Sequence, residues 1–202
     1  MSDVVAVHAT RPNRRAVAAQ PRYSLYRDDL RQDFAQACGY CGDQDERADP
    51  STFHIDHFAP RKKFPHLAAD YSNLVYACRF CNISKSDHWI GTDPSVPNDG
   101  AQGFIDPCSD EYAQNLRRDA GGRVVSDSPL GQYVIGRLRL HLIRHELLWR
   151  ARRARNLRNE VNDLINEFEA RGKPPHDYAP LLARFRDLTQ SIEDYELRAI
   201  SR

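Results

Sequence analysis

Two C-x-x-C pairs, Cys38/Cys41 and Cys78/Cys81, constrain this chain more than any other feature. Each pair offers two thiolates from one tight turn, and two pairs complete the tetrahedral sulfur shell that zinc takes in a structural site. Gly39 and Gly42 ease the first of these turns. A chain tied this way must return to its starting point, so the segment between the pairs closes into a small domain. Four thiolates leave no open coordination position, so the Zn2+ is structural rather than catalytic.

The chain has 202 residues, 41% hydrophobic and 28% charged, which fits one ordinary domain or a small domain with an extension. No apolar run approaches the roughly 20 residues needed to cross a bilayer. The N-terminus lacks the basic, apolar and small-residue order of a secretory signal. The expectation is a soluble, cytoplasmic protein with no membrane partner. In a reducing cytoplasm paired cysteines bind metal more readily than they crosslink. Cys108 is left over, and its plainest reading is a small buried apolar side chain, ahead of a fifth ligand or a reactive thiol. The net charge of +1 argues against coating nucleic acid by bulk electrostatics. Charge is unevenly placed, however: eight arginines lie from Arg137 to Arg158 with Glu146 as the one acid among them, and acids collect from Glu160 onward.

Residues 1–20 carry Arg11, Arg14 and Arg15 without a periodic apolar face and read as a flexible basic arm. Tyr23, Tyr26, Leu30, Phe34 and Ala37 recur at helical steps and predict a helix leading into the first cysteine pair. Residues 52–58 alternate as a short strand that sends Asp56 and His57 to opposite faces, so the strand must end or twist there to bring them together. Pro60 and Pro65 enclose a loop, Leu74 to Ala77 predicts a second strand, and Asn82 to His88 a short helix. The order is strand, loop, strand, helix, with zinc at both ends. Residues 93–130 read as an irregular linker, with a short helix near Asp110 to Leu116 and a brief strand at Arg123 to Val125. Apolar spacing from Tyr133 to Phe168 predicts one long amphipathic helix, broken after Gly172, and Leu181 to Tyr195 predicts a second. The expected organisation is an arm (1–20), a zinc-bound core (21–92), the linker (93–130) and an antiparallel helical hairpin (131–202), in an α+β fold.

Asp56-His57, Asn73 and Cys81-Asn82-x-x-Lys85, set between paired zinc ligands, closely resemble the HNH endonucleases, whose fold is the ββα-metal motif. The resemblance covers roughly Cys38 to His88. The string from His54 to Lys62 is also similar to bacterial HNH proteins with helical C-terminal extensions, associated with restriction and antiphage systems such as Septu. The resemblance implies hydrolysis of DNA phosphodiesters with a catalytic Mg2+ or Mn2+. It makes His57 the general base, with an imidazole that titrates at about 6.5 when unperturbed. Asp56 and Asn82 become the oxygen ligands of the catalytic cation, and Asn73 a hydrogen-bond partner that fixes the His57 ring.

His54 shares a strand face with Asp56, as a further ligand or phosphate contact or simply a packed histidine. Lys85 reads as a phosphate contact or as a capping or surface lysine; Arg61, Lys62 and Lys63 read as phosphate contacts or a solvated loop. The arginine-rich helix is open to three readings: a DNA track, a solvated face, or a surface for a partner protein such as an ATPase in a defence complex. A different class of function also fits, a catalytically silent zinc-bound module that binds nucleic acid or protein.

Overall fold

The protein is described here from a computed structural model, for residues 5–45 and 52–200. Residues 1–4 of the expected arm lie outside the described residues. Two compact units divide the chain, Met1–His141 and Leu142–Arg202. The border falls later than the expected 130/131, because a helix at Pro129–Arg137 belongs to the first unit.

In the first unit, β1 is Val5–Ala6, a 3-10 turn at Tyr23–Tyr26 leads into α1 (Arg27–Asp33), β2 is Phe53–His57, β3 is Leu74–Cys78 and α2 is Arg79–Lys85. α1 stops short of the expected Ala37 because Ala35 and Gln36 turn into the left-handed region, at φ 50 and 58°. That reversal sends the chain into the first cysteine turn. β2 and β3 pair antiparallel, with His57 opposite Leu74 and Phe53 opposite Cys78. Every residue of β3 is buried, so the hairpin forms the floor on which α1 and the cysteine turn pack. Leu30, Phe34, Tyr40, Val75 and Tyr76 meet in that core.

Gly39 sits where Phe34 and Val75 converge. A Cβ there would lie 2.6 Å from Phe34 Cε1 and 2.7 Å from Val75 Cγ1, and the Gly39 N–H donates to the Tyr76 carbonyl at 2.8 Å. Gly39→Ala is therefore expected to cost about 1–3 kcal/mol by overpacking. A urea midpoint lowered at saturating zinc checks this; an unchanged midpoint contradicts the packing.

The segment expected to be an irregular linker is part of the fold. It holds α3 (Asp110–Asn115), β4 (Arg117–Arg118) and β5 (Val124–Val125), and α4 (Pro129–Arg137) follows. Phe104, Ile105, Tyr112, Leu116 and Val124 are buried in the same core. The short helix and brief strand lie where the sequence placed them. The packing was not visible because isolated apolar residues between turns show no period.

The arm also differs from its expectation. β1 pairs with β4, which pairs with β5, in a three-stranded antiparallel sheet. Arg14 donates to the Leu74 carbonyl at 2.7 Å and pairs with Asp106 at 2.9 Å, while Arg15 engages Asp29 and Asp33. The arm's arginines are anchors to carboxylates and carbonyls, contacts that leave no periodic trace in sequence.

The second unit holds α5 (Ile143–Ala170) and α6 (Ala179–Ile200). They pack antiparallel, as Phe168 meets Tyr178 near the turn and Arg155 pairs with Glu196 at 2.6 Å further along. Val161, Ile165, Tyr178 and Leu188 form this hairpin's own core. The expected continuous helix from Tyr133 is two helices: Arg139 adopts φ 56° and breaks the run. Apolar residues keep helical phase across the break, which hid it. Several arginines of the basic segment are engaged locally: Arg150 with Glu146 at 2.5 Å, Arg153 over the Trp149 ring, and Arg158 over the Phe185 ring. No helix of the described residues is long and apolar enough to cross a membrane.

Candidate functional site

Cys38, Cys41, Cys78 and Cys81 bring their sulfurs within 4.8 Å of one another, all four buried. The Cys41 and Cys78 sulfurs are 3.8 Å apart. A tetrahedron with Zn–S of about 2.3 Å has S···S edges of about 3.8 Å, so the donors fit zinc in kind, number and spacing. The cage is built by backbone bonds. The Cys38 N–H donates to the Asp43 carbonyl at 2.8 Å, and the buried guanidinium of Arg118 donates to the Cys41 carbonyl at 2.6 Å. Cys108 is outside this cluster, its carbonyl bonded by Arg11. Burial pushes its thiol up to about 11, which makes it a poor nucleophile.

Beside the zinc cage, His54, Asp56, His57 and Asn82 line one open pocket of about 730 Å3, together with Tyr23, Arg61 and Lys62. His57 is the last residue of β2, still paired with Leu74, and all five residues of the strand border the pocket. Asp56 is buried, and its Oδ2 accepts from the Tyr40 hydroxyl at 2.6 Å and pairs with Lys85 Nζ at 3.1 Å. Oδ1 is the oxygen left over. Asn82 Nδ2 donates to His54 Nδ1 at 2.8 Å, which ties α2 to β2 and leaves the side-chain Oδ1 of Asn82 as an acceptor or metal ligand. A carboxylate oxygen and an amide oxygen are the donor types that a hard divalent cation takes.

His57 Nε2 lies 2.9 Å from the Ala68 carbonyl. A carbonyl only accepts, so Nε2 carries the hydrogen and Nδ1 is the nitrogen able to take a proton. Tyr23 meets the ring edge-on at 4.8 Å between centroids. Burial holds the imidazole below its ordinary pKa, against the Ala68 carbonyl and Asp56, which raise it. The ring is thus neutral near pH 7, the form a general base requires.

Two residues occupy places other than those expected. Asn73 does not touch the His57 ring. Its Oδ1 accepts from the Ala59 N–H at 2.7 Å and its Nδ2 donates to the Ala59 carbonyl at 3.0 Å, which clamps the turn after His57. The ring partner is the Ala68 carbonyl, a main-chain group that side-chain reasoning cannot find. Asn73→Ala would orphan two buried groups at about 1–3 kcal/mol each. A melting temperature lower by several degrees, with zinc retained, is the expected result; a wild-type melting temperature would contradict the clamp.

Lys85 is the second. It is fully buried, 0% exposed, and donates to the His57 carbonyl at 2.8 Å, so it has no route to a substrate phosphate. Arg61, Lys62 and Lys63 are exposed, as a phosphate-binding loop requires. Arg61 lies over the Tyr23 ring, Lys62 pairs with Asp87 at 3.3 Å, and Lys63 donates to the Trp89 carbonyl at 3.0 Å. Arg61 and Lys62 reach the pocket. Tyr40 and Tyr23 were missed by sequence reasoning. Tyr40 did offer a signal, since a bulky ring between two metal ligands has to be buried against something.

Residues 38–88 match the family model described as HNH endonuclease. This segment is an HNH domain. Searches of curated proteins and of solved structures gave no match. The match begins at the first zinc cysteine and spans the β2–β3 hairpin and α2, so it contains the cage and most of the pocket's lining, to which Tyr23 and Arg27 are added from before it. This match supports a nuclease-type function, and with it nucleic-acid binding, in general terms.

Proposed function

We propose that the HNH domain is a Mg2+- or Mn2+-dependent endonuclease that hydrolyses DNA phosphodiesters. The observation that carries this is the His57 ring, with Nε2 committed to Ala68, bordering the same pocket as Asp56 and Asn82. His57 Nδ1 takes a proton from the attacking water. A divalent cation held by Asp56 and Asn82 would neutralise charge on the phosphoryl oxygens and stabilise the leaving oxygen. Arg61 and Lys62 on the rim place the flanking phosphates, and Asn73 holds the turn that carries His57. His54 orients Asn82.

The same reading extends to a role as nuclease effector of a bacterial antiphage or restriction system, with the helical hairpin as the surface for a partner ATPase. Its support is the His54–Lys62 string and the presence of the hairpin in the same chain.

Incubating the zinc-loaded protein with supercoiled plasmid in Mg2+ or Mn2+ tests the activity. Nicked or linear product, abolished by EDTA, is expected. Plasmid left intact under every divalent metal while DNA is still bound would make the domain a binding module instead.

A further inference from the structure

We propose that Tyr40 and Lys85 are positioning residues that clamp the Asp56–His57 strand end, linking the zinc cage to the catalytic pair. The inference rests on the proposed nuclease function and assigns what prepares its site. Lys85 is 0% exposed, and its Nζ lies 5.4 Å from the centroid of the Phe104 ring. A buried ion pair contributes little net stability compared with apolar packing of the same volume, so geometry is the more informative part of this contact.

One ammonium bonds the side chain of Asp56 at 3.1 Å and the main-chain carbonyl of His57 at 2.8 Å. Adjacent residues of a strand point to opposite faces, and a bridge from the Asp56 side chain to the His57 main chain holds the two residues in one fixed relation at the strand end. The Tyr40 hydroxyl donates to the same Asp56 oxygen at 2.6 Å. The clamp therefore occupies Oδ2 and presents Oδ1.

Both clamp residues are spaced from zinc ligands. Tyr40 lies between Cys38 and Cys41, and Lys85 follows Cys81 by one helical turn on α2. The Tyr112 hydroxyl in turn donates to the Tyr40 carbonyl. Zinc thus sets the place of the catalytic residues through two side chains, without taking part in the chemistry.

Lys85→Met and Tyr40→Phe test the clamp in the full chain, with zinc stoichiometry measured first. Lys85→Met is expected to lower kcat about 100-fold, the scale of a misplacement of about 1 Å. KM for DNA and its salt dependence should stay as in wild type, while the His57 ring C–H signal in a 1H–13C spectrum broadens or doubles. Tyr40→Phe should give the same spectral change with a smaller loss of kcat. A raised KM with a salt slope reduced by about one would mark Lys85 as a phosphate contact and overturn the clamp. So would an unchanged kcat, or a lower kcat with an unaltered His57 signal. If Lys85→Met fails to hold zinc, Tyr40→Phe decides alone. If wild type cleaves no DNA, the nuclease reading fails, and the His57 signal in the two variants still shows whether the clamp exists.

Discussion

Cys81→Ser, or removal of zinc by a chelator, is expected to unfold the HNH core rather than to tune its activity. A structural zinc in small peptides contributes about 10–16 kcal/mol, while a whole domain is stable by about 5–15 kcal/mol. Losing one thiolate of four forfeits most of the first figure, and the core has no reserve of that size. The reason lies in how the cage is used: its turns carry the Gly39 bond to Tyr76, the Arg118 bond to Cys41 and the Tyr40 bond to Asp56. The α5–α6 hairpin has a separate core, so circular dichroism should keep a helical signal while amide resonances of the HNH core collapse. A Cys81→Ser protein with wild-type dispersion and melting temperature would contradict this.

His57→Ala is expected to lower the cleavage rate by about 10²–10⁴, the usual contribution of a positioned general base. DNA binding should change little, because the buried imidazole is held by the Ala68 carbonyl and the Tyr23 ring and is proposed to act on water rather than on a phosphate. Single-turnover rates and binding by fluorescence anisotropy in Ca2+ separate the two effects. A rate within a few-fold of wild type would remove His57 from the chemistry. A lost affinity at unchanged single-turnover rate would make it a substrate contact.

Particular residues show what the sequence makes legible. The zinc ligands and the β2, β3, α2 order were readable because C-x-x-C spacing and strand alternation are local patterns. Gathering His54, Asp56, His57 and Asn82 on one pocket follows once zinc fixes both ends of the segment. The partners of those residues were harder. Lys85 reads as a surface cation from its position on a short helix, and only the fold shows it buried against Asp56. Asn73 and His57 bond to main-chain groups of Ala59 and Ala68, whose places depend on the loop conformation. The arm looked loose because its anchors are arginines. The break at Arg139 was masked by apolar residues that stay in phase across it.

Anomalous diffraction from Mn2+-soaked crystals of the zinc protein, recorded at the zinc and manganese edges, tests the central claim most directly. The expected result is a zinc peak enclosed by Cys38, Cys41, Cys78 and Cys81 and a manganese peak against the oxygens of Asp56 and Asn82. Sulfurs without a shared ion, or manganese absent from that pocket in fully soaked crystals, would contradict it.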